Sequence, residues 1–373
     1  MSHRRGGQSG RTGRGGHDSF VVMASAAERV SLCLSLIGYA GFSGEPARAA
    51  PALHRTLAMW LARLPATREH EIVWGPASFR AWWQPSSPAL VVFVTRPRGE
   101  DDCYIVVRGS APMAIWDHHV ESLGCLEQEP WLWARGSGNL APAVCAGIRR
   151  LLDVICELTP EEQLPGAGRG LTEFLADRIA ELDGDRKLPV HVVGHGVGGG
   201  LATAVALWLH DTQGGMSARD LDWDPRQGAK IHCTAFASPT IGNGDFASYV
   251  SDRLDAQLDL VFNSLDHVAM LWDPIALAGI ADLYRPHVQE VALVRAIADA
   301  LVDEIERRGL EYEQPPARVL DGRLNTTLPP TFAAQAEYQH LHAYVELLGL
   351  GAQLDVDAIF ERPSGINGGP VAQ

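Results

Sequence analysis

Residues 188–209 read LPVHVVGHGVGGGLATAVALWL, and this stretch decides the fold. Its first six residues form a compact, largely apolar run of the kind that makes a strand buried on both faces. From Gly199 to His210 the residues are small and apolar over a length that suits a helix. A glycine cluster joins the two, so a buried strand runs through a tight corner straight into a helix.

Two devices use that shape. In the first, Gly194-x-Gly196-x-x-Gly199 is a dinucleotide fingerprint whose glycines let a pyrophosphate approach a helix N-terminus. That device needs an acidic residue at the end of the next strand, and here the next strand ends in Phe236-Ala237-Ser238-Pro239. Asp220 and Asp222 fall in the loop before it, so the dinucleotide reading is the minor one. In the second, Gly194-His195-Gly196-Val197-Gly198 is a nucleophile elbow, a strained strand-to-helix turn that lifts its central side chain above the sheet. The N–H of the following residue, Val197, then faces a developing oxyanion. The central residue here is Gly196, which brings no nucleophilic oxygen.

Outward from the corner, residues 50–64 have helical spacing, and residues 71–74, 89–95 and 103–107 are short β-branched runs with short connections, which predicts antiparallel strands. Helical periodicity returns over 144–158 and 171–182. After the corner come a Gly- and Asp-rich loop (211–228), strands at 230–237 and 258–263, a long amphipathic helix over 288–308, a loop with an edge strand over 315–330 and a last helix over 331–348. Alternating strands and helices predict an α/β fold: a mixed, mostly parallel sheet with helices on both faces. No repeat and no central linker divides the chain, which predicts a Gly/Arg-rich tail over 1–22, one domain over 23–352 and a C-terminal tail over 353–373.

Composition narrows the function. Of 373 residues 46% are hydrophobic, enough for a large core. With 31 Lys and Arg against 45 Asp and Glu the net charge is −14, and no basic stripe interleaves with aromatics, so nucleic acid is not an expected partner. No apolar run reaches the ~18 residues of a membrane span. Six scattered cysteines without a CxxC pair read as core thiols. His118-His119 and His340-x-His342 lack zinc spacing, and neither metal nor cofactor is expected. Residues 30–42, followed by Ala47-Arg48-Ala49, could serve as an export signal. Glu28 beside Arg29, and Leu32, Leu36 and Tyr39 at helical spacing, favour an amphipathic helix instead, and with it a cytoplasmic location over secretion.

Several segments, taken in order, resemble the class 3 (fungal-type) lipases of the α/β-hydrolase superfamily, whose elbow reads Gly-His-Ser-Leu-Gly-Gly. YIVVRGS (104–110) resembles the strand that ends in Arg-Gly-Ser/Thr, which implies that Ser110 joins the Val197 N–H in an oxyanion hole. APMAIWDHHVESL (111–123) resembles the lid-bearing stretch, with Met113, Ile115 and Trp116 as substrate or lid residues. FASPTIGNGDF (236–246) resembles the family's Gly-Ser-Pro-x-x-Gly-Asn turn. VFNSLDHV (261–268) resembles Val-x-Asn-x-x-Asp-x-Val, which makes Asp266 the triad acid. YQHLHAYVELL (338–348) resembles the C-terminal region where a His precedes a Tyr, which makes His340 the base and His342 its reserve.

The resemblance implies an α/β-hydrolase fold and a lipid or ester substrate, with transient contact at a lipid interface. Three features depart from the family: Gly196 in place of Ser, Ala-Met-Leu-Trp after Val268 in place of Pro-x-Leu-Pro, and no His near Ala143. The first closes the acyl-enzyme route, since a histidine base cannot activate a methylene hydrogen. The sequence then carries three readings: a Ser-to-Gly change introduced into an otherwise intact hydrolase, a pseudo-hydrolase that binds lipid or ester without turnover, or weak hydrolysis by water that His340 activates.

Overall fold

The computed structural model describes residues 24–40, 49–80, 89–109, 124–214, 222–289 and 291–360. Helix α1 (Ala26–Ile37) starts at Ser25, whose hydroxyl accepts the Glu28 N–H. Helix α2 (Ala49–Arg63) leads to three strands, β1 (His70–Phe79), β2 (Leu90–Pro97) and β3 (Cys103–Arg108), each antiparallel to the next. A short hairpin, β4 (Gln128–Pro130) with β5 (Ala143–Cys145), precedes helices α3 (Ala146–Glu157) and α4 (Leu171–Ala180). The helix expected from residue 144 thus starts two residues later, because Ala143 to Cys145 pair with residues 128–130.

The decisive stretch forms β6 (Leu188–His195) and α5 (Val197–Asp211), followed by β7 (Ala229–Phe236), α6 (Gly244–Leu254) and β8 (Leu258–Asn263). Helices α7 (Pro274–Gly279) and α8 (Ala292–Arg307) and edge strand β9 (Arg318–Leu320) come next. The long helix expected from residue 288 begins four residues later.

The seven-stranded sheet has the order β1-β2-β3-β6-β7-β8-β9, parallel from β3 onward. One face is covered by α3 and by α5, which is buried almost all round, the pattern of a helix at the centre of a core. The other face, with Val91, Phe93, Tyr104, Val106, Val193 and Phe236, lies under α1 and α2. This is the α/β-hydrolase arrangement with helices on both faces.

The last helix is not continuous. Helix α9 (Phe332–Glu337) passes into a π-helical turn at Tyr338–His342 and then α10 (Ala343–Leu347). Nor does the chain leave the domain at residue 353, as expected. Helix α11 (Val356–Phe360) buries Val356 and Ile359 in the α1 face, so the C-terminal boundary lies past residue 352 and the core runs to about residue 360. The reason is the apolar set Leu354, Val356 and Ile359, too sparse to register as a periodic pattern. The N-terminal tail and residues 361–373 lie outside the described residues. Five of the six free cysteines are buried, and Cys156 is partly so.

Candidate active site

The corner between β6 and α5 turns at Gly196, whose φ of 60° and ψ of −131° lie in a region that side chains rarely occupy. Its N–H donates to the Phe236 carbonyl at 2.9 Å, and its carbonyl accepts the Gly199 N–H at 2.8 Å, so both neighbouring elements hold the turn. Gly198 lets α5 press on β3. A Cβ there would stand 2.4 Å from the Val107 carbonyl oxygen. Val197 opens the helix, so its N–H has no partner within the helix.

A Cβ built on Gly196 would meet His340 Nε2 at 3.2 Å, His340 Cε1 at 3.3 Å and the Tyr39 hydroxyl at 3.6 Å. The imidazole arrives from the π-turn, and the π-turn is tied to β8. Asn263 Nδ2 donates to the Gln339 carbonyl (3.0 Å) and to Gln339 Oε1 (2.7 Å), and Gln339 Nε2 donates to the Arg323 carbonyl (2.7 Å). A π-turn redirects side chains by widening the helix locally, and such turns recur at functional sites.

Beyond β8, Asp266 is fully buried. Its carboxylate accepts from His340 Nδ1 (3.0 Å to Oδ2, 3.2 Å to Oδ1), from the Tyr344 hydroxyl (2.9 Å) and from the Val268 N–H (2.9 Å). The Tyr344 oxygen in turn accepts the Asn263 N–H at 2.9 Å. Burial alone would raise the Asp266 pKa. The His340 ring, through charge and hydrogen bond, with help from His267 and the Val268 N–H, outweighs burial and holds it below the usual carboxylate range. An ionised Asp266 fixes the proton of His340 on Nδ1 and leaves Nε2 facing Gly196.

His195 lies beneath this pair. Its Nε2–H donates to the His340 carbonyl at 2.8 Å, and the Tyr39 hydroxyl donates to the His195 carbonyl at 3.0 Å. Burial, and secondarily the neighbouring His340, pushes its pKa down to about 3, so the ring is neutral. His267, also buried, is held down to about 4 by desolvation.

The structure therefore brings Gly196, Val197, Asp266 and His340 together. His342 it does not: the side chain turns outward to Asp357, 3.4 Å from Oδ1, and is 29% exposed. Two positions along a helix, at about 100° each, suffice for that separation. Ser110, Met113, Ile115 and Trp116 lie outside the described residues. Sequence reasoning missed Tyr39 and Tyr344 as parts of the site. Tyr344, four residues after His340, carried a signal in that spacing, since positions i and i+4 share a helix face. Tyr39 carried none, being one apolar position of α1's stripe among several.

The model of the family Lipase (class 3) matches residues 166–273, which include the elbow and Asp266. The crystal structure of M37 lipase is similar over 91% of this chain and 98% of its own, at 28% identity and a TM-score of 0.80. The matched stretch and the structural likeness both support a class 3 lipase family. Two further lipases share less: lipase II from Rhizopus niveus is 15% identical over 66% of this chain and 76% of its own (TM-score 0.42). Lip2 lipase from Yarrowia lipolytica is 14% identical over 66% and 75% (TM-score 0.43). No curated protein matches. The family match and the fold support a lipase-type ester hydrolase. No described helix is long and apolar enough to cross a membrane, and no described group of three or more His, Cys, Asp or Glu could hold a metal ion.

Proposed function

We propose that the elbow, Asp266 and His340 form a carboxylic-ester hydrolase centre of lipase type whose nucleophile position is held by Gly196. The observation that carries this reading is His340 Nε2 lying 3.2 Å from where a side chain at 196 would begin, while Nδ1 is held by a buried carboxylate. In this assignment His340 is the general base, and Asp266 orients it and stabilises its charged form. Val197, with Ser110, supplies the oxyanion donors. The substrate is a lipid or other carboxylic ester, met at a lipid interface in passing.

Without a hydroxyl at 196 no acyl-enzyme forms, and the chain as written is inactive or weakly active. Any residual hydrolysis uses water deprotonated by His340, as the ester takes up one water and yields acid and alcohol. A second reading, a pseudo-hydrolase that binds lipid or ester without turnover, is favoured by Gly196 itself.

Gly196→Ser decides between them. The expected outcome is a gain in p-nitrophenyl ester hydrolysis of roughly 10³-fold or more, the scale on which loss of a serine nucleophile acts. The variant also becomes reactive toward a fluorophosphonate. A folded Gly196→Ser protein that gains nothing sinks the triad assignment. The serine adopts a strained turn, so its unfolding free energy falls by about 1–3 kcal/mol, measurable by urea titration.

A further inference from the structure

Four of the six cysteines are ordinary core thiols. Burial pushes Cys33, Cys156 and Cys233 up to about 12 and Cys103 up to about 11, so each keeps its proton. Cys125 and Cys145 are buried as well, and they meet: the Cys125 S–H donates to the Cys145 sulfur. Neither belongs to the centre assigned under Proposed function.

The backbone on which the two thiols stand is held in place. Gln128 pairs with Cys145 in the β4–β5 hairpin, and the Ala146 N–H donates to the Glu127 carbonyl at 3.0 Å. A Cβ on Gly124 would stand 3.1 Å from the Gly147 nitrogen and 3.3 Å from Ala146 Cβ, so the chain that enters β4 lies directly on the first turn of α3. The Tyr312 hydroxyl donates to the Cys125 carbonyl at 2.7 Å, and the Cys145 N–H donates to the Ile241 carbonyl at 2.8 Å. Cysteines on two stretches of chain in such contact meet the first requirement of a disulfide, that no large backbone movement is needed.

The two sulfurs are also chemically unequal. Cys145 is the N-cap of the twelve-residue helix α3. Its pKa is lowered, first by the hydrogen bond from Cys125 and then, against burial, by the amides of Ile148 and Gly147 and the charge of Arg150. Cys125 is raised well above its ordinary value by burial and by Cys145. One sulfur thus gives up its proton more readily than any other thiol of the chain, and its neighbour keeps a proton beside it.

We propose that Cys125 and Cys145 are a redox pair that hydrogen peroxide converts to a disulfide, tying the entry of β4 to the start of α3. The Cys145 sulfur attacks one peroxide oxygen and the O–O bond breaks. The leaving oxygen takes the Cys145 proton and departs as water, which leaves a sulfenic acid. The Cys125 sulfur then attacks the Cys145 sulfur, the S–O bond breaks, and the hydroxide released takes the Cys125 proton as a second water. Two thiols lose two electrons and two protons, and the peroxide is reduced to two waters. Access runs through the hairpin. Its strands are three residues each, with Gln128 and Glu129 partly exposed and Pro130 exposed, so its opening is a local event that admits an oxidant little larger than water.

Peroxide treatment of the full chain, followed by alkylation of the unfolded protein and peptide mapping, tests this. The expected result is alkylation of four cysteines of the six, a cross-linked peptide pair that carries Cys125 and Cys145, and recovery of all six on reduction with dithiothreitol. The disulfide restricts the unfolded chain between 125 and 145, so oxidation should raise the urea midpoint and lower the unfolding equilibrium constant at least about tenfold. In Cys125→Ala no second sulfur closes the bond, and dimedone added with peroxide should label Cys145 alone. In Cys145→Ala it should label neither Cys125 nor the core thiols.

Six cysteines still open to alkylation after peroxide overturn the inference, and so does a cross-link that involves any other cysteine. Cys145 driven to the sulfinic acid with Cys125 left free overturns it as well, since the second sulfur then fails to reach the first. Mapping of the parent chain decides the pair without either variant, and dimedone on Cys125 in Cys145→Ala overturns the assignment of Cys145 as the attacking sulfur.

Discussion

Strand β6 carries two histidines on one face, His191 and His195, four residues apart, and their surroundings differ in every respect that matters for chemistry. His191 is stacked between Tyr104 (4.6 Å) and His232 (5.1 Å), while His70 meets the Tyr104 ring at 5.1 Å. The row runs across β1, β3, β6 and β7. The carboxylate that meets it, Asp102, lies 3.3 Å from His191 Nε2 and is 34% exposed. His195 instead sits 4.5 Å from His340, beside a carboxylate with no exposure at all. The row is richer in imidazole, and the buried pair is the better site. Histidine density therefore does not make a base. A dry carboxylate on one ring nitrogen, with the other nitrogen turned to a niche at the carboxyl ends of parallel strands, does.

The sharpest way to break that contrast is to neutralise each carboxylate in the Gly196→Ser background. Asp266→Asn should lower ester hydrolysis by about 10⁴-fold, because the ring then loses the partner that fixes its tautomer. Asp102→Asn, next to an imidazole 3.3 Å away, should change the rate less than about twofold, as expected of a partly exposed pair remote from the turn. Equal losses in the two variants would mean that Asp266 acts only through the fold.

A smaller effect separates support from chemistry at the same carboxylate. Tyr344→Phe removes one of three hydrogen bonds to buried Asp266 and leaves the Asn263 N–H without its acceptor. Urea unfolding should show a loss of about 1.5–3 kcal/mol, the scale of hydrogen bonds to charged groups. Ester hydrolysis by Gly196→Ser/Tyr344→Phe should shift to higher pH optima on its acid limb, since a less stabilised carboxylate protonates sooner. An unmoved acid limb would show that the tyrosine only packs.

What could be read from the sequence follows from what each part needs. The corner was legible because backbone contact at Gly198 and the reversed φ at Gly196 leave few residue types able to stand there. Asp266 was singled out by the resemblance of VFNSLDHV (261–268), together with its place just beyond the apolar strand 258–263. His340 was distinguishable from His342 only through the resemblance, because the hydrogen bonds from Asn263 to Gln339 that tie the π-turn to β8 leave no periodic trace. The histidine row was invisible, since cross-strand neighbours such as Tyr104, His191 and His232 are set by register. The helix from 356 to 360 was missed for a different reason: five residues are too few to show a period.

The row sharpens the comparison through pH. Burial holds His70 down to about 4, with Asp102 opposing, and lowers His191. Burial, then His191 and Lys230, holds His232 down to about 4. Each is neutral in the fold and takes up a proton near its ordinary value of about 6.5 once unfolded. The unfolded chain thus binds more protons below that value, and stability falls as pH drops from about 6.5 toward 4. The row's contribution is fully present above about 6.5. His191→Asn combined with His232→Asn should flatten the dependence of the urea midpoint on pH across that window. Parallel curves for the double variant and the parent would show that the acid sensitivity arises elsewhere, as from His70 in the row or from buried His195 and His267 at the other end of the strands.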